Sequence, residues 1–320
     1  MINQTEMPIC KRKTTIGGQA IIEGITMKGP KRTCVVVRKQ NGKLSIKERD
    51  TNNPANKYPI LKLPILRGAT SLFTALKDGL DDIEYSSSFF ETEEDEKPSR
   101  FEAWLESKLG SEKLEKLIMN FAMLIGIIIP VCLFMLFPSF IGGLLPESAP
   151  IFVRNLTESL LRIAIFLIFM WTISHMKDIE RTFRYHGAEH KTIFCYEAEL
   201  PLTVENVRKM PRFHPRCGTS FLFVLIIVAT LVSCVVFSII EVTNPFLRAL
   251  THLILLPFVV GISYEFNRYA GRHNNIICRI LRWPGLMIQH LTVFEPDDSM
   301  IEVAIEGMKR VIPDDNSDNW

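Results

Sequence analysis

Charge is missing from two long stretches of this 320-residue chain. Residues 117–137, 21 in a row, and residues 221–240, 20 in a row, contain no Asp, Glu, Lys or Arg. Uncharged apolar runs of about 18 or more residues are long enough to cross the hydrocarbon core as helices. A purely soluble enzyme and a disordered chain are excluded on that ground, although 47% hydrophobic and 22% charged residues make an ordinary average. Also missing is any CxxC pair. The cysteines number seven, an odd count, and Cys132 and Cys234 fall inside the uncharged runs. This excludes a secreted disulfide scaffold and predicts reduced thiols in a cytosolic setting. No apolar run follows the basic residues at the N-terminus, so no signal peptide is expected. The glycine-rich stretch 17–30 contains neither G-x-x-x-x-G-K-[ST] nor G-x-G-x-x-G, which excludes nucleotide binding there. A net charge of +2 gives no reason to expect nucleic acid, because the basic residues form local patches that a membrane explains better.

What is present divides the chain into six parts. Residues 1–60 predict a cytosolic unit containing a β-hairpin, with Cys34-Val-Val-Val-Arg-Lys and Lys43-Leu-Ser-Ile-Lys-Glu on either side of Asn41-Gly42, a two-residue turn signal. Residues 61–116 predict an amphipathic helix from 65 to about 85, with apolar positions 66, 69, 72, 73, 76, 80 and 83, and then an acidic linker at 91–96. Residues 117–176 hold two predicted spans, 117–137 with a kink expected at Pro130, and 156–176. Glu158 and Arg162 lie inside the second, four apart and able to pair on one face. Residues 177–219 form a polar loop. Residues 220–266 hold two more spans, 221–240 and 246–264, with Arg248 near enough to an end to snorkel. In residues 267–320, the stretch 276–290 reads either as a segment lying in the membrane interface or as a core helix of the cytosolic part. Glu295-Pro-Asp-Asp caps a last helix, 299–311.

Loop charge sets the orientation. Lys and Arg number eleven in residues 1–50, one in 138–155, none in 241–245, eight in 176–219 and six from Arg268 onward. The fold class expected is therefore an α-helical integral membrane protein with about four transmembrane helices and both termini cytosolic. A small α+β cytosolic domain would assemble from N-terminal, central-loop and C-terminal segments.

The most pointed chemistry lies in Tyr185-His186-Gly187-Ala188-Glu189-His190-Lys191. On a helix, His186 and His190 share a face and can reach one metal ion, while Glu189 stands close enough to act as general base. The pattern is H-x-x-E-H, the reverse of H-E-x-x-H, as in inverted zinc peptidases. The competing interpretation is an amphipathic extension of the second span, and Gly187 and the lack of a third ligand within the motif favour it. A catalytic site needs a third protein ligand. Glu265 is one candidate, with a salt bridge to Arg268 as its structural alternative. His214-Pro-Arg-Cys217-Gly218 is the rival source, or else simply a turn before a helix. Glu23 is either a polar contributor to the same site or part of a tight-turned strand pair.

Several long motifs, taken in order, resemble the YqhQ-like family of bacterial membrane proteins. They are Gly17-Gly-Gln-Ala-Ile-Ile-Glu-Gly-Ile-Thr-Met-Lys-Gly-Pro30, Tyr185-His-Gly-Ala-Glu-His-Lys191, His214-Pro-Arg-Cys-Gly-Thr-Ser-Phe221 and Glu295-Pro-Asp-Asp298. The resemblance covers nearly the whole chain. It implies a domain of unknown function described as a predicted metal-dependent enzyme of the bacterial cytoplasmic membrane. Zinc or another divalent metal is the cofactor expected, with a lipid bilayer as environment and a membrane protein or lipid as substrate. The alternatives are a non-enzymatic scaffold, whose polar motifs pack the cytosolic part, and a transporter. The first and third spans carry no ionisable residue, which counts against transport.

Overall fold

A computed structural model describes residues 10–51, 54–90, 110, 117–118, 121, 124–126, 128–146, 148–240, 242, 244–273 and 275–319. The expected acidic linker at 91–96 lies outside the described residues. Four strands, β1 (Gly17–Ile21), β2 (Gly24–Lys28), β3 (Arg32–Arg38) and β4 (Leu44–Asp50), form an antiparallel meander in the order β1-β2-β3-β4. Both faces are covered, which explains why residues 34–37 read as an unbroken apolar run. Val35 and Val37 face Tyr85 and Phe89, whereas Cys34 and Val36 join Ile25, Met27 and the larger core.

The two-residue turn expected at Asn41-Gly42 does not form, whereas the strand pair at residues 17–28 is tight-turned as its sequence suggests. Arg38 pairs with Leu44 and leaves a five-residue loop around Asn41-Gly42, with Gly42 at φ 77°. The Asn41 side chain caps that loop by accepting from the Lys43 N–H at 3.0 Å, so the wider loop satisfies its own backbone. The two-residue turn falls instead at Ile22-Glu23, where Ile21 pairs with Gly24. Glu23 sits at φ 47°, in the left-handed region, held by an ion pair to Arg181 and a 3.2 Å hydrogen bond from the Tyr185 hydroxyl. The tight-turned strand pair is thus the role that Glu23 takes.

Nine helices follow among the described residues, short turns aside: α1 (Leu66–Ser87), α2 (Leu124–Gly143), α3 (Ile151–Ser174), α4 (Lys177–Glu197), α5 (Val204–Arg208), α6 (Gly218–Ile239), α7 (Pro245–Arg272), α8 (Ile276–Thr292) and α9 (Asp298–Val311). Helices α2, α3, α6 and α7 are each long and apolar enough to cross a membrane. Helices α3, α6 and α7 are longer than the apolar windows read from sequence, and α2 runs past the end of its window to Gly143. Helix α7 continues through Glu265 to Arg272, since helical hydrogen bonding does not stop where hydrophobicity does. A π-helical turn falls at Cys132–Leu136, just beyond the Pro130 at which a kink is expected. Helix α9 starts as expected, with the Asp297 carboxylate capping the Met300 N–H at 3.0 Å.

The chain forms two compact units. One comprises Met1–Phe90, Ile168–Ala229 and Leu256–Trp320. Its core joins one face of the sheet to α4 and α9, with Met27, Val36, Tyr185, Phe194, Ile301 and Met308 fully or almost fully buried. In the same unit one face of α8 is packed (Cys278, Ile288, Gln289) while Ile276, Ile280 and Trp283 form an exposed apolar stripe. Its packed face fits the core-helix interpretation.

The other unit comprises Glu91–Leu167 and Thr230–Leu255. Here the expected pairing of Glu158 with Arg162 gives way to contacts between helices. Glu158 Oε1 lies 2.8 Å from Arg248 Nε, and its second oxygen lies 3.7 Å from His252 Nε2. Arg162 Nε donates to the Phe134 carbonyl at 2.8 Å. Arg248 does not snorkel. Its side chain is 2% exposed, and it also donates to Asn155 Oδ1 at 2.7 Å and to the Val242 carbonyl at 3.1 Å. In a low-dielectric bundle a facing carboxylate outweighs both a helical neighbour and a distant interface.

Candidate metal centre

Helix α4 presents His186, Glu189 and His190, and the loop leading into α6 presents Cys217. The two imidazoles, four residues apart, stack edge to face with centroids 4.4 Å apart. Cys217 Sγ lies 3.3 Å from His186 Nε2, and one ligand atom from each of His186, His190 and Cys217 lies within 4.8 Å of the other two. Atoms bound to one tetrahedral zinc at about 2.0–2.3 Å stand roughly 3.5 Å from one another. The trio therefore needs only small side-chain rotations to meet that geometry.

Each imidazole is oriented from behind. His186 Nδ1 is 2.9 Å from the Thr292 carbonyl, and His190 Nδ1 is 2.6 Å from the Arg212 carbonyl. A carbonyl only accepts, so each Nδ1 carries a proton and Nε2 is the coordinating atom of the neutral ring. The thiol is activated as well. It sits just before the first residue of α6, within 3.4 Å of the Thr219 N–H and 3.0 Å of the Thr219 hydroxyl. Burial raises the Cys217 thiol, but His186 and His190 outweigh burial and hold it well below its usual value. Burial pushes His186 down, and Cys217 reverses this and raises it to about 9.

Glu189 is fully enclosed, and burial pushes its carboxyl up while His186 and His190 pull it down less strongly. A backbone hydrogen bond from Gly18 holds the carboxylate, and Oε2 has no hydrogen-bond partner among the described residues. A Cβ on Gly18 would stand 2.7 Å from the Thr26 carbonyl oxygen and 3.0 Å from Glu189 Cδ, so only a glycine fits there. These groups line a cavity of about 360 Å³, walled on one side by residues 14–20 and on the other by Thr182, Phe183 and Ile193.

Two expected ligands are placed elsewhere. Glu265 is not in the trio, and its carboxylate forms a two-point ion pair with Arg67 of α1. Neither the zinc role nor the alternative bridge to Arg268 is what the structure forms, because α1 brings a planar guanidinium to that helix face. His214 is a neighbour of the trio. Its Nδ1 accepts from the Arg216 N–H at 3.3 Å and its Nε2 faces Glu197 Oε2 at 3.6 Å, so both ring nitrogens are already engaged. Burial pushes His214 down to about 4. As pH falls from 6.5 to about 4, the unfolded chain takes up a proton that the folded imidazole refuses. About 3 kcal/mol of stability, fully present above that window, is lost across it. In an acid-unfolding series, His214→Gln is expected to flatten the slope between those two values. An unchanged slope would show that His214 is charged when folded.

Gln289 has no signal in the sequence, yet it fixes the cysteine loop. Fully buried, it accepts from the His214 N–H at 2.8 Å and donates to the His214 carbonyl at 2.7 Å and to Ser220 Oγ at 3.0 Å. The Thr292 and Arg212 carbonyls were equally unreadable, being backbone groups brought in by distant segments. Gly187, which weakened the metal interpretation of the motif, has a packing role. A Cβ there would overlap the Phe294 carbonyl oxygen. Glu295, Asp297 and Asp298 serve structure, through ion pairs from Lys191 to Glu295 and from Arg208 to Asp298 and the cap at Asp297.

A family model described as "Protein of unknown function (DUF1385)" matches residues 63–314, a span that holds all three members of the trio and Glu189. The chain is also similar to the uncharacterized protein YqhQ of Bacillus subtilis (strain 168), 33% identical over 307 residues that cover 92% of each. No solved structure matches the chain.

Proposed function

The chain belongs to the DUF1385, YqhQ-like family, and from that premise we propose that it is a metal-dependent hydrolase embedded in the bacterial cytoplasmic membrane. The observation that carries this reading is the convergence of His186, His190 and Cys217, each imidazole oriented by a carbonyl, around the unpartnered carboxylate oxygen of Glu189. Two imidazoles and a thiolate suit zinc, and three protein ligands leave a fourth position open. Zinc held there supplies Lewis-acid polarisation.

The chain's own residues do the rest. Gly18 holds one side of the Glu189 carboxylate and leaves Oε2 free to take a proton from an attacking water. In hydrolysis the water oxygen bonds to the substrate carbonyl carbon, the bond to the leaving nitrogen or oxygen breaks, and Glu189 passes the proton to the leaving atom. Burial raises the carboxyl toward the range in which it can do both. Cys217 immediately precedes α6, a membrane-length helix, which supports a site at the membrane surface. The loop-charge pattern supports the cytosolic face, with both termini on that side. A membrane-embedded peptide or lipid is the substrate class.

Metal analysis of the purified protein tests this reading. Wild type is expected to retain one zinc per chain, and His186→Ala with His190→Ala none. Equal, negligible metal in both would sink the proposal. The scaffold reading has its own support in the structural use of Lys191, Glu295, Asp297 and Asp298. Glu189→Gln separates the two. Under the hydrolase reading it keeps its metal and fold but loses about 10²–10⁴-fold in turnover. A scaffold would leave the cellular phenotype of that variant intact.

A further inference from the structure

The glycine-rich segment before the first turn walls the cavity at the metal centre. Strand β1 is an edge strand, paired only with β2 in the sheet. Its register assigns its polar groups. Ile21 and Gly24 close a two-residue turn, so Ile21, Gln19 and Gly17 exchange bonds with β2, while Gly18 and Ala20 direct theirs to the open edge. The hydrogen bond from Gly18 to Glu189 agrees with that parity. The Gly18 carbonyl and the Ala20 N–H point the same way and make no hydrogen bond among the described residues.

We propose that this edge of β1 is a binding site for an extended peptide, laid along the cavity beside Glu189 and the metal-ligand trio. The proposal rests on the hydrolase reading for its chemistry and narrows its substrate class from peptide or lipid to peptide. A chain in the groove donates one N–H to the Gly18 carbonyl and offers one carbonyl to the Ala20 N–H. These are the two bonds by which a strand is added to an edge. Gly18 then has two roles, because its N–H holds the proton-accepting carboxylate and its C=O holds the substrate backbone. Adjacent main-chain contacts of this kind bring a peptide carbonyl next to Glu189. A lipid has no matching alternation of donor and acceptor.

The two faces of β1 are told apart by its side chains. Gly18 turns its Cα hydrogen toward Glu189, and Gln19 and Ile21 turn to the opposite face against α1. The edge itself is therefore lined by backbone alone. A proline at Ala20 would remove the N–H that the edge offers, at a position where the sheet does not use it.

The test uses the full-length, zinc-loaded protein in nanodiscs and three probes. These are a tripeptide amide with an N-terminal hydroxamate, the same compound N-methylated at its internal amides, and a decanoyl hydroxamate that lacks any peptide unit. The tripeptide hydroxamate is expected to bind about tenfold more tightly than its N-methyl analogue, the effect of losing one or two hydrogen bonds. Ala20→Pro, which removes the edge N–H, should abolish that difference while keeping wild-type zinc content and melting temperature. Equal binding of the parent and N-methyl compounds would overturn the proposal, and so would preference for the decanoyl probe, which would indicate a lipid site. If wild type holds no zinc, the hydrolase reading fails by itself. The tripeptide amide without the hydroxamate and its N-methyl analogue then decide: preference for the former, lost in Ala20→Pro, supports the β1 site, and equal retention overturns it.

Discussion

Arg248→Ala is expected to cost about 3–5 kcal/mol of stability, because it leaves a carboxylate buried without its main partner. Glu158 is 3% exposed on its side chain, and its closest cation is the Arg248 guanidinium at 2.8 Å. His252, the next neighbour at 3.7 Å, sits with its Nδ1 3.1 Å from Ser233 Oγ and cannot replace a permanent cation. The Asn155 oxygen and the Val242 carbonyl would also lose their donor. Unfolding in mixed micelles measures the loss. The control is the double substitution Glu158→Leu with Arg248→Met, which removes both charges and is expected to recover at least half of it. Buried pairs are costly to break but seldom costly to replace together. A single variant as stable as wild type would show that water reaches the pair.

Gly187→Ala should damage the metal centre without touching a ligand. The added methyl would overlap the Phe294 carbonyl oxygen and press on Pro296 Cδ at 3.2 Å. Helix α4 and the segment after α8 would then have to separate. That contact is tied down nearby by the Phe294 N–H donating to the Phe183 carbonyl at 3.0 Å. Two residues before Phe294 lies the Thr292 carbonyl that orients His186. Overpacking of this kind costs about 1–3 kcal/mol, and loss of an orienting partner costs roughly 10–100-fold in metal affinity. Thermal melting and competitive zinc titration with a chromophoric chelator measure the two effects. Unchanged zinc affinity together with a lowered melting temperature would separate packing from orientation and refute the link.

Much of the architecture was legible because it depends on local pattern. Uncharged runs predict membrane-length helices wherever they occur, since hydrocarbon crossing is a matter of length and polarity. The cap at Asp297 was equally readable, because the carboxylate needs only a backbone N–H three residues on. Turn chemistry was less reliable. Asn41-Gly42 carries the stronger two-residue signal, but the tight turn falls at Ile22-Glu23, where Arg181 and Tyr185 of α4 hold Glu23 at a positive φ. Tertiary contacts offset the strain that a propensity rule counts against such a residue.

At the candidate site, spacing alone brings His186, Glu189 and His190 to one helix, because residues three and four apart share a face. The sequence determined that much, along with the four membrane-length helices and the placing of the polar motifs in the segments between and around them. Which distant group would join the histidines was beyond it. Glu265, His214 and Cys217 were all chemically eligible, and only packing chose among them. Helix α1 occupies Glu265 with Arg67, Arg216 and Glu197 engage His214, and Gln289 pins the loop that turns Cys217 toward His186. The physical reason is range. Helical periodicity and charge counts act over a few residues, whereas the choice of a third ligand depends on which groups, 31 to 106 positions apart, burial forces into contact.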